Sequence, residues 1–198
     1  METWDGQMGL FEDNPTRDVA SNELVVVFDL ETQRSFDEVG GRSQLHRLGV
    51  SVGVSYRYDR DEFKTYTEDT IAELIALLQS ADLVVGYNIK GFDYEVLRGY
   101  SDADLRALPT LDLMYELEDR LGFRPKLESV ASATLGSGKS ADGLQALQWW
   151  REGEIEKISE YCTEDVRVTR DLFEFGRRNR FVLVSRFGGK PRQVEVDW

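Results

Sequence analysis

Glu23-Leu-Val-Val-Val-Phe-Asp-Leu-Glu-Thr32 joins a continuous apolar run, Leu24 to Phe28, to two carboxylates placed one residue apart. An unbroken run of β-forming residues marks a strand covered on both faces, as in a parallel or mixed sheet. Side chains alternate along a strand, so Asp29 and Glu31 share one face at its end. Two unpaired charges at the end of a central strand would cost several kcal/mol, of the order found for buried ions, unless a cation, water or hydrogen-bond donors met them. A divalent metal meets both at once.

Outward from this strand the pattern turns to α/β. Residues Met1 to Asn22 are polar and acidic without a sustained period and read as an N-terminal arm (1–22) ahead of one domain (23–198). Gln33 to Ser43, with Gly40-Gly41, reads as a loop. Leu45 to Tyr58 has strand rhythm, with Leu48, Val50, Val52 and Val54 on one face, and Phe63 to Thr67 pairs with it. Thr70 and Glu73 have capping-box spacing before a helix that ends near Ser80. Ala81 to Tyr87 reads as a short buried strand that turns through Asn88-Ile-Lys-Gly-Phe-Asp93 into a helix. Pro109 to Leu113 allows another strand, followed by helices over Met114 to Leu121, Leu127 to Leu135 and Leu144 to Arg151. Glu154 to Gly176 has the longest helical stripe, with Tyr161 and Asp165 four residues apart on its edge. Phe181 to Phe187 and Arg192 to Trp198 form a C-terminal hairpin. Strands first, then alternation with helices, is the α/β pattern.

At 198 residues the chain can bury one sizeable core. Its one cysteine, Cys162, excludes an internal disulfide and any several-cysteine zinc site, and its one histidine, His46, removes most histidine-based metal chemistry. A metal here is held by oxygen, which favours hard cations such as Mg²⁺ or Mn²⁺. No basic region followed by an apolar run opens the chain, and no stretch has membrane-spanning length, so the expectation is a soluble cytoplasmic protein without a membrane partner. The net charge of −13 argues against a protein that coats nucleic acid but is compatible with an enzyme that clusters carboxylates around metal.

Three separated segments supply those carboxylates: Asp29-Leu30-Glu31, Asn88-x-x-x-Phe92-Asp93, and Tyr161-x-x-x-Asp165. Singly, Asp93 reads as a helix cap, Asp165 as a solvated residue and Tyr161 as packing. Together, and in this order, they resemble the DEDD family of 3′-to-5′ exonucleases of the ribonuclease H-like superfamily, in the branch that carries tyrosine in its third motif and is related to polymerase proofreading domains. The resemblance spans roughly Leu24 to Gly176. It implies a ribonuclease H-like mixed sheet flanked by helices, and metal binding by Asp29, Glu31, Asp93 and Asp165 with two divalent cations, Mg²⁺ or Mn²⁺. It assigns Tyr161 to positioning water, Leu30 and Thr32 to the terminal nucleotide, and Asn88 and Phe92 to the substrate strand. The implied reaction is removal of nucleoside 5′-monophosphates from the 3′ end of single-stranded nucleic acid, DNA before RNA, in a repair setting with a helicase or polymerase as partner. The rival readings are a metal-dependent endonuclease of the same superfamily and an inactive binding or scaffold module.

Other features carry less. Gly136-Ser-Gly-Lys-Ser140 lacks the glycine that a phosphate loop needs where Ala133 stands, and it follows a helix instead of a strand, so it reads as a surface loop. Trp149 and Trp150 are adjacent and cannot share a helix face, which places at least one in the core. His46 reads as structural, and Asp112 as a local hydrogen-bonding residue. Arg177, Arg178, Arg180, Arg186, Lys190 and Arg192 form a basic run with two readings, a solvated hairpin or a phosphate track leading towards Asp165.

Overall fold

The strand β1 (Val25–Thr32) is the middle of a five-stranded mixed sheet in the computed structural model, which describes residues 23–136, 143–185 and 189–198. The expected N-terminal arm, the Ser137 to Ser140 part of the glycine-lysine segment, and Arg186 lie outside the described residues. Antiparallel to β1 runs β2 (Val50–Arg57), followed by the edge strand β3 (Glu62–Tyr66). On the other side β4 (Leu83–Gly86) and β5 (Thr110–Asp112) run parallel to it, giving the order β3-β2-β1-β4-β5. A separate hairpin pairs β6 (Phe181–Val184) with β7 (Arg192–Glu195).

Helices cover both faces, which is why residues 25 to 28 of β1 are apolar without alternation. Val25 and Val27 pack with Ile158, Cys162, Val166 and Phe173 of the long helix α7 (Ile155–Asn179). Val26, Phe28 and Leu30 pack on the opposite face with Leu74 and Leu78 of α2 (Ile71–Ser80) and Val96 and Leu97 of α3 (Asp93–Leu97). The remaining helices are α1 (Phe36–Val39), α4 (Leu113–Leu121), α5 (Leu127–Leu135) and α6 (Gly143–Glu152).

Four local readings are corrected. The loop expected over Gln33 to Ser43 holds the one-turn helix α1, whose Glu38 carboxylate accepts from the Ser35 amide (2.7 Å) and hydroxyl (2.8 Å). The strand expected from Leu45 begins only at Val50, because Arg42–Arg47 form a 3₁₀ helix and Gly49 turns the chain at φ +69°. His46 is therefore an exposed residue of that turn and not a strand residue. The capping box lies one turn before Thr70: a 3₁₀ turn, Glu68–Thr70, precedes α2, and the Thr67 amide donates to Thr70 Oγ1 at 2.9 Å. The single face expected for Val50, Val52 and Val54 is split as well. The β1–β2 register shifts between Glu31 and Thr32, so Val50 packs on the α2 side and Val52 and Val54 on the α7 side. A one-residue slip turns every later side chain to the other face.

Candidate active site

Asp29 and Glu31 have the same parity as Val25 and Val27 and so face α7, which presents Asp165. Ligand oxygens of Asp29, Glu31 and Asp165 all lie within 4.8 Å of one another, and each of the three side chains is half-buried. The register shift beside Glu31 falls where a strand most often re-aims a side chain at a site.

Asp93 arrives by a different route. The pairing of β4 with β1 ends at Val27, so amides of β1 beyond it need other partners. Asp93 Oδ1 accepts the Leu30 amide at 3.1 Å, with Asp93 only 2% exposed. Phe92, not Asp93, occupies the cap position of α3, and the carboxylate meets both the Leu30 amide of the sheet and its own amide at the start of the helix. The turn that delivers it is folded by Asp112 at the end of β5. Its Oδ1 accepts the amides of Asn88 (2.8 Å) and Met114 (3.1 Å), and its Oδ2 accepts that of Lys90 (2.9 Å). Asn88 takes φ +67°, a left-handed conformation that asparagine tolerates better than most residues. Gly91 leaves room inside this turn for two side-chain ends, since a Cβ there would come within 2.8 Å of Asn88 Oδ1 and 3.0 Å of the Tyr115 hydroxyl oxygen.

The electrostatics follow from crowding. Asp29 is raised well above the usual carboxylate range by burial first, then by Asp93, Asp165 and Glu31. Glu31 is raised by burial, Asp165 and Asp93. Burial pushes Asp93 up to about 8 and Asp165 up to about 6, the latter held back by a hydrogen bond from Tyr161. The groups that raise Asp29 and Glu31 are burial and other carboxylates, which is the situation a bound cation relieves. The donor set is all oxygen and fits a hard divalent ion.

Tyr161 sits one helical turn before Asp165. Burial, Asp165 and Glu31 push its phenol upwards, so it stays protonated at neutral pH and acts as a donor. The ring of Trp149 on α6 packs edge-on against it, with centroids 6.2 Å apart. Both Trp149 and Trp150 pack against the α7-side core. Arg151 of α6 pairs with Glu38 of α1 at 3.2 Å.

The structure thus brings Asp29, Glu31 and Asp165 together, with Asp93 and Tyr161 beside them. The softer candidates fall otherwise. Leu30 is 3% exposed and its side chain lies in the α2-side core, so a nucleotide could meet only its backbone there. Thr32 is 8% exposed and its hydroxyl donates to the Arg34 carbonyl at 3.2 Å. Asn88 and Phe92 are half-buried on the turn, Phe92 edge-on to Phe36 of α1 with centroids 6.1 Å apart. Two contributors were not singled out as site residues from sequence, Cys162 and Trp149. Cys162 was findable, since it lies on the same helix one turn from Asp165, whereas Trp149 reaches Tyr161 only through the packing of α6 on α7.

The start of the basic run lies at the far end of α7 from Asp165. Phe173 packs against Tyr58, whose amide donates to the Val25 carbonyl, so α7 runs from the carboxylates back towards the start of β1. At about 1.5 Å per residue, Arg178 lies roughly 20 Å along the helix from Asp165. Arg177 and Arg178 both pair with Glu174, at 4.0 and 3.5 Å, and Arg180 donates to the Trp198 carbonyl at 3.3 Å.

Comparison with known proteins gives the architecture a context. The family model of the RNase_H superfamily matches residues 26–175. No curated protein matches. Among solved structures the chain is similar to the family B DNA polymerase from the hyperthermophilic archaeon Pyrobaculum calidifontis, with a TM-score of 0.57 and 17% sequence identity over 79% of this chain. The match covers 24% of the polymerase, so the chain corresponds to about a quarter of its length. The mixed five-stranded sheet flanked by helices is the RNase H-like α/β fold. Among the described residues no helix is long and apolar enough to cross a membrane.

Proposed function

Because the chain belongs to the RNase_H superfamily, we propose that it is a metal-dependent 3′-to-5′ exonuclease that shortens single-stranded nucleic acid, DNA before RNA, and releases nucleoside 5′-monophosphates. The observation that carries this reading is the convergence of Asp29, Glu31 and Asp165 oxygens within 4.8 Å from two elements of the fold. These three, with the second oxygen of Asp93, would hold two divalent cations, Mg²⁺ or Mn²⁺. When bound, the cations supply charge that stabilises the attacking and leaving oxygens of phosphoryl transfer.

The chain's own residues do the rest. Asp93 fixes the Leu30 amide and with it the backbone between Asp29 and Glu31, so the two carboxylates keep their spacing. Tyr161 keeps its proton at neutral pH and donates it to Asp165, which leaves the phenol oxygen to accept from a water and orient it; a phenol that stays protonated does not act as a base. The backbone at Leu30 and Thr32 would meet the terminal nucleotide, and the Asn88–Phe92 turn would flank the strand behind it. A helicase or polymerase that exposes 3′ ends would be a natural partner, and a cytoplasmic repair setting would suit this activity.

A 5′-labelled single strand with Mg²⁺ or Mn²⁺ tests the polarity, with a closed circular single strand beside it. The reading expects a ladder of labelled products shortened from the 3′ end and an intact circle. Immediate release of the labelled 5′ nucleotide, or cutting of the circle, would overturn it.

A further inference from the structure

The single thiol of the chain is placed against the carboxylate cluster. Cys162 is 0% exposed and lies on α7 between Tyr161 and Asp165. Its Sγ is 3.6 Å from Asp29 Oδ2 and 3.5 Å from the Asp29 carbonyl oxygen, within hydrogen-bonding range for sulfur. We propose that Cys162 is a positioning residue of the metal centre, whose S–H donates to Asp29 Oδ2 and so fixes how that carboxylate is turned towards a cation. The proposal rests on the reading of Asp29, Glu31 and Asp165 as metal ligands and is independent of substrate and polarity.

The direction of the bond follows from the partners. A carboxylate that serves as a metal ligand is ionised and only accepts, so the sulfur donates; its one proton is shared between Asp29 Oδ2 and the Asp29 carbonyl oxygen, both within range. The carboxyl torsion of aspartate is a broad one, and without a partner on one oxygen the group samples a range of orientations. Asp29 is where this matters most. It lies on the central strand, whose backbone is fixed by pairing with β2, whereas its ligand partner Asp165 comes from α7. The thiol on α7 therefore ties the strand carboxylate to the helix that supplies the opposing ligand. Residues that hold metal ligands in this manner typically change metal affinity about 10- to 100-fold when lost, and a weak S–H donor belongs at the lower end.

The test uses Cys162→Ser, which keeps a donor, Cys162→Ala, which removes it, and Cys162→Val, which removes it while keeping the space filled. Mn²⁺ binding is measured by calorimetry without nucleic acid, and folding is followed by thermal melts. The Mn²⁺ dissociation constant should rise about 10-fold in the Ala and Val variants and stay near the wild-type value in Cys162→Ser. Because the chain has one cysteine, its S–H stretching band in the infrared is unambiguous. That band should shift in Asp29→Ala and again when wild-type protein takes up Mn²⁺. Equal Mn²⁺ affinities in all four proteins, or an S–H band that neither Asp29→Ala nor Mn²⁺ moves, would overturn the role of Cys162 alone. Failure of the wild type to take up Mn²⁺ would overturn the metal-centre reading, and the positioning role with it.

Discussion

At the scale of single residues, the raised carboxylates make a prediction with a definite sign. Asp93 is pushed up to about 8 and Asp165 to about 6, against about 3.9 for an aspartate in the unfolded chain. Between those values the folded protein binds protons that the unfolded chain has already released, so unfolding free energy falls as pH rises. The metal-free protein should therefore lose thermal stability from about pH 5 to pH 8. Mg²⁺ or Mn²⁺ should raise the melting temperature more at pH 8 than at pH 5, since it replaces the protons that relieve the repulsion. Asp93→Asn should flatten this pH dependence; melts of both proteins with and without metal decide it, and parallel curves would contradict the assignment. Tyr161 belongs to the same scale. Tyr161→Phe removes a donor but no ligand, so single-turnover rates should fall by up to about 100-fold, at or below the usual contribution of a positioned proton-transfer group. Because Tyr161 supplies no ligand but donates to Asp165, the Mn²⁺ affinity should weaken by no more than about 10-fold, and an unaltered rate at saturating metal would leave Tyr161 as packing against Trp149.

At the scale of elements, Asp112 shows how a residue without chemistry of its own can control the site. It gathers amides from the Asn88 turn and from the start of α4. Asp112→Ala would orphan the buried Met114 amide and the part-buried amides of Asn88 and Lys90, and the loss should be about 3 kcal/mol in urea unfolding, with activity reduced because Asp93 loses its fixed approach. Stability within about 0.5 kcal/mol of wild type would contradict that role. The strand-ending carboxylates, the turn into α3 and the Tyr161–Asp165 edge of α7 were legible in sequence because each depends on local periodicity or spacing. Leu127–Leu135 was legible to the residue for the same reason. What escaped depends on tertiary geometry. The slip beside Glu31 splits Val50 from Val52 only when β1 and β2 pair, and α1 is a single turn, too short to set a period. The core position of Leu30 follows from alternation opposite Asp29 and Glu31, but its amide partner Asp93 is set by where β4 stops. The corrected cap at Thr67 has a similar origin, since a 3₁₀ turn ahead of α2 mimics a helix start.

At the scale of the whole molecule, the direction of α7 decides what the charge pattern means. The helix carries Asp165 at the carboxylate end and Arg177 and Arg178 at the other, where Glu174 pairs with both. Arg177 and Arg178 thus stand roughly 20 Å along the helix from Asp165, each beside the Glu174 carboxylate. Arg178→Ala/Arg180→Ala should leave the salt dependence of strand affinity unchanged, measured with Ca²⁺ to suppress cleavage. A log-log slope flattened by roughly 0.7 per lost contact would instead make this end a phosphate track. The central claim is that Asp29, Glu31 and Asp165 converge to hold the cations on which phosphodiester hydrolysis depends. The most direct measurement is Mg²⁺-dependent degradation of a labelled single strand by wild type and by Asp165→Asn, with folding of both checked by melting. Degradation by the wild type that vanishes in a folded Asp165→Asn is the predicted result; equal degradation by the two proteins would contradict it.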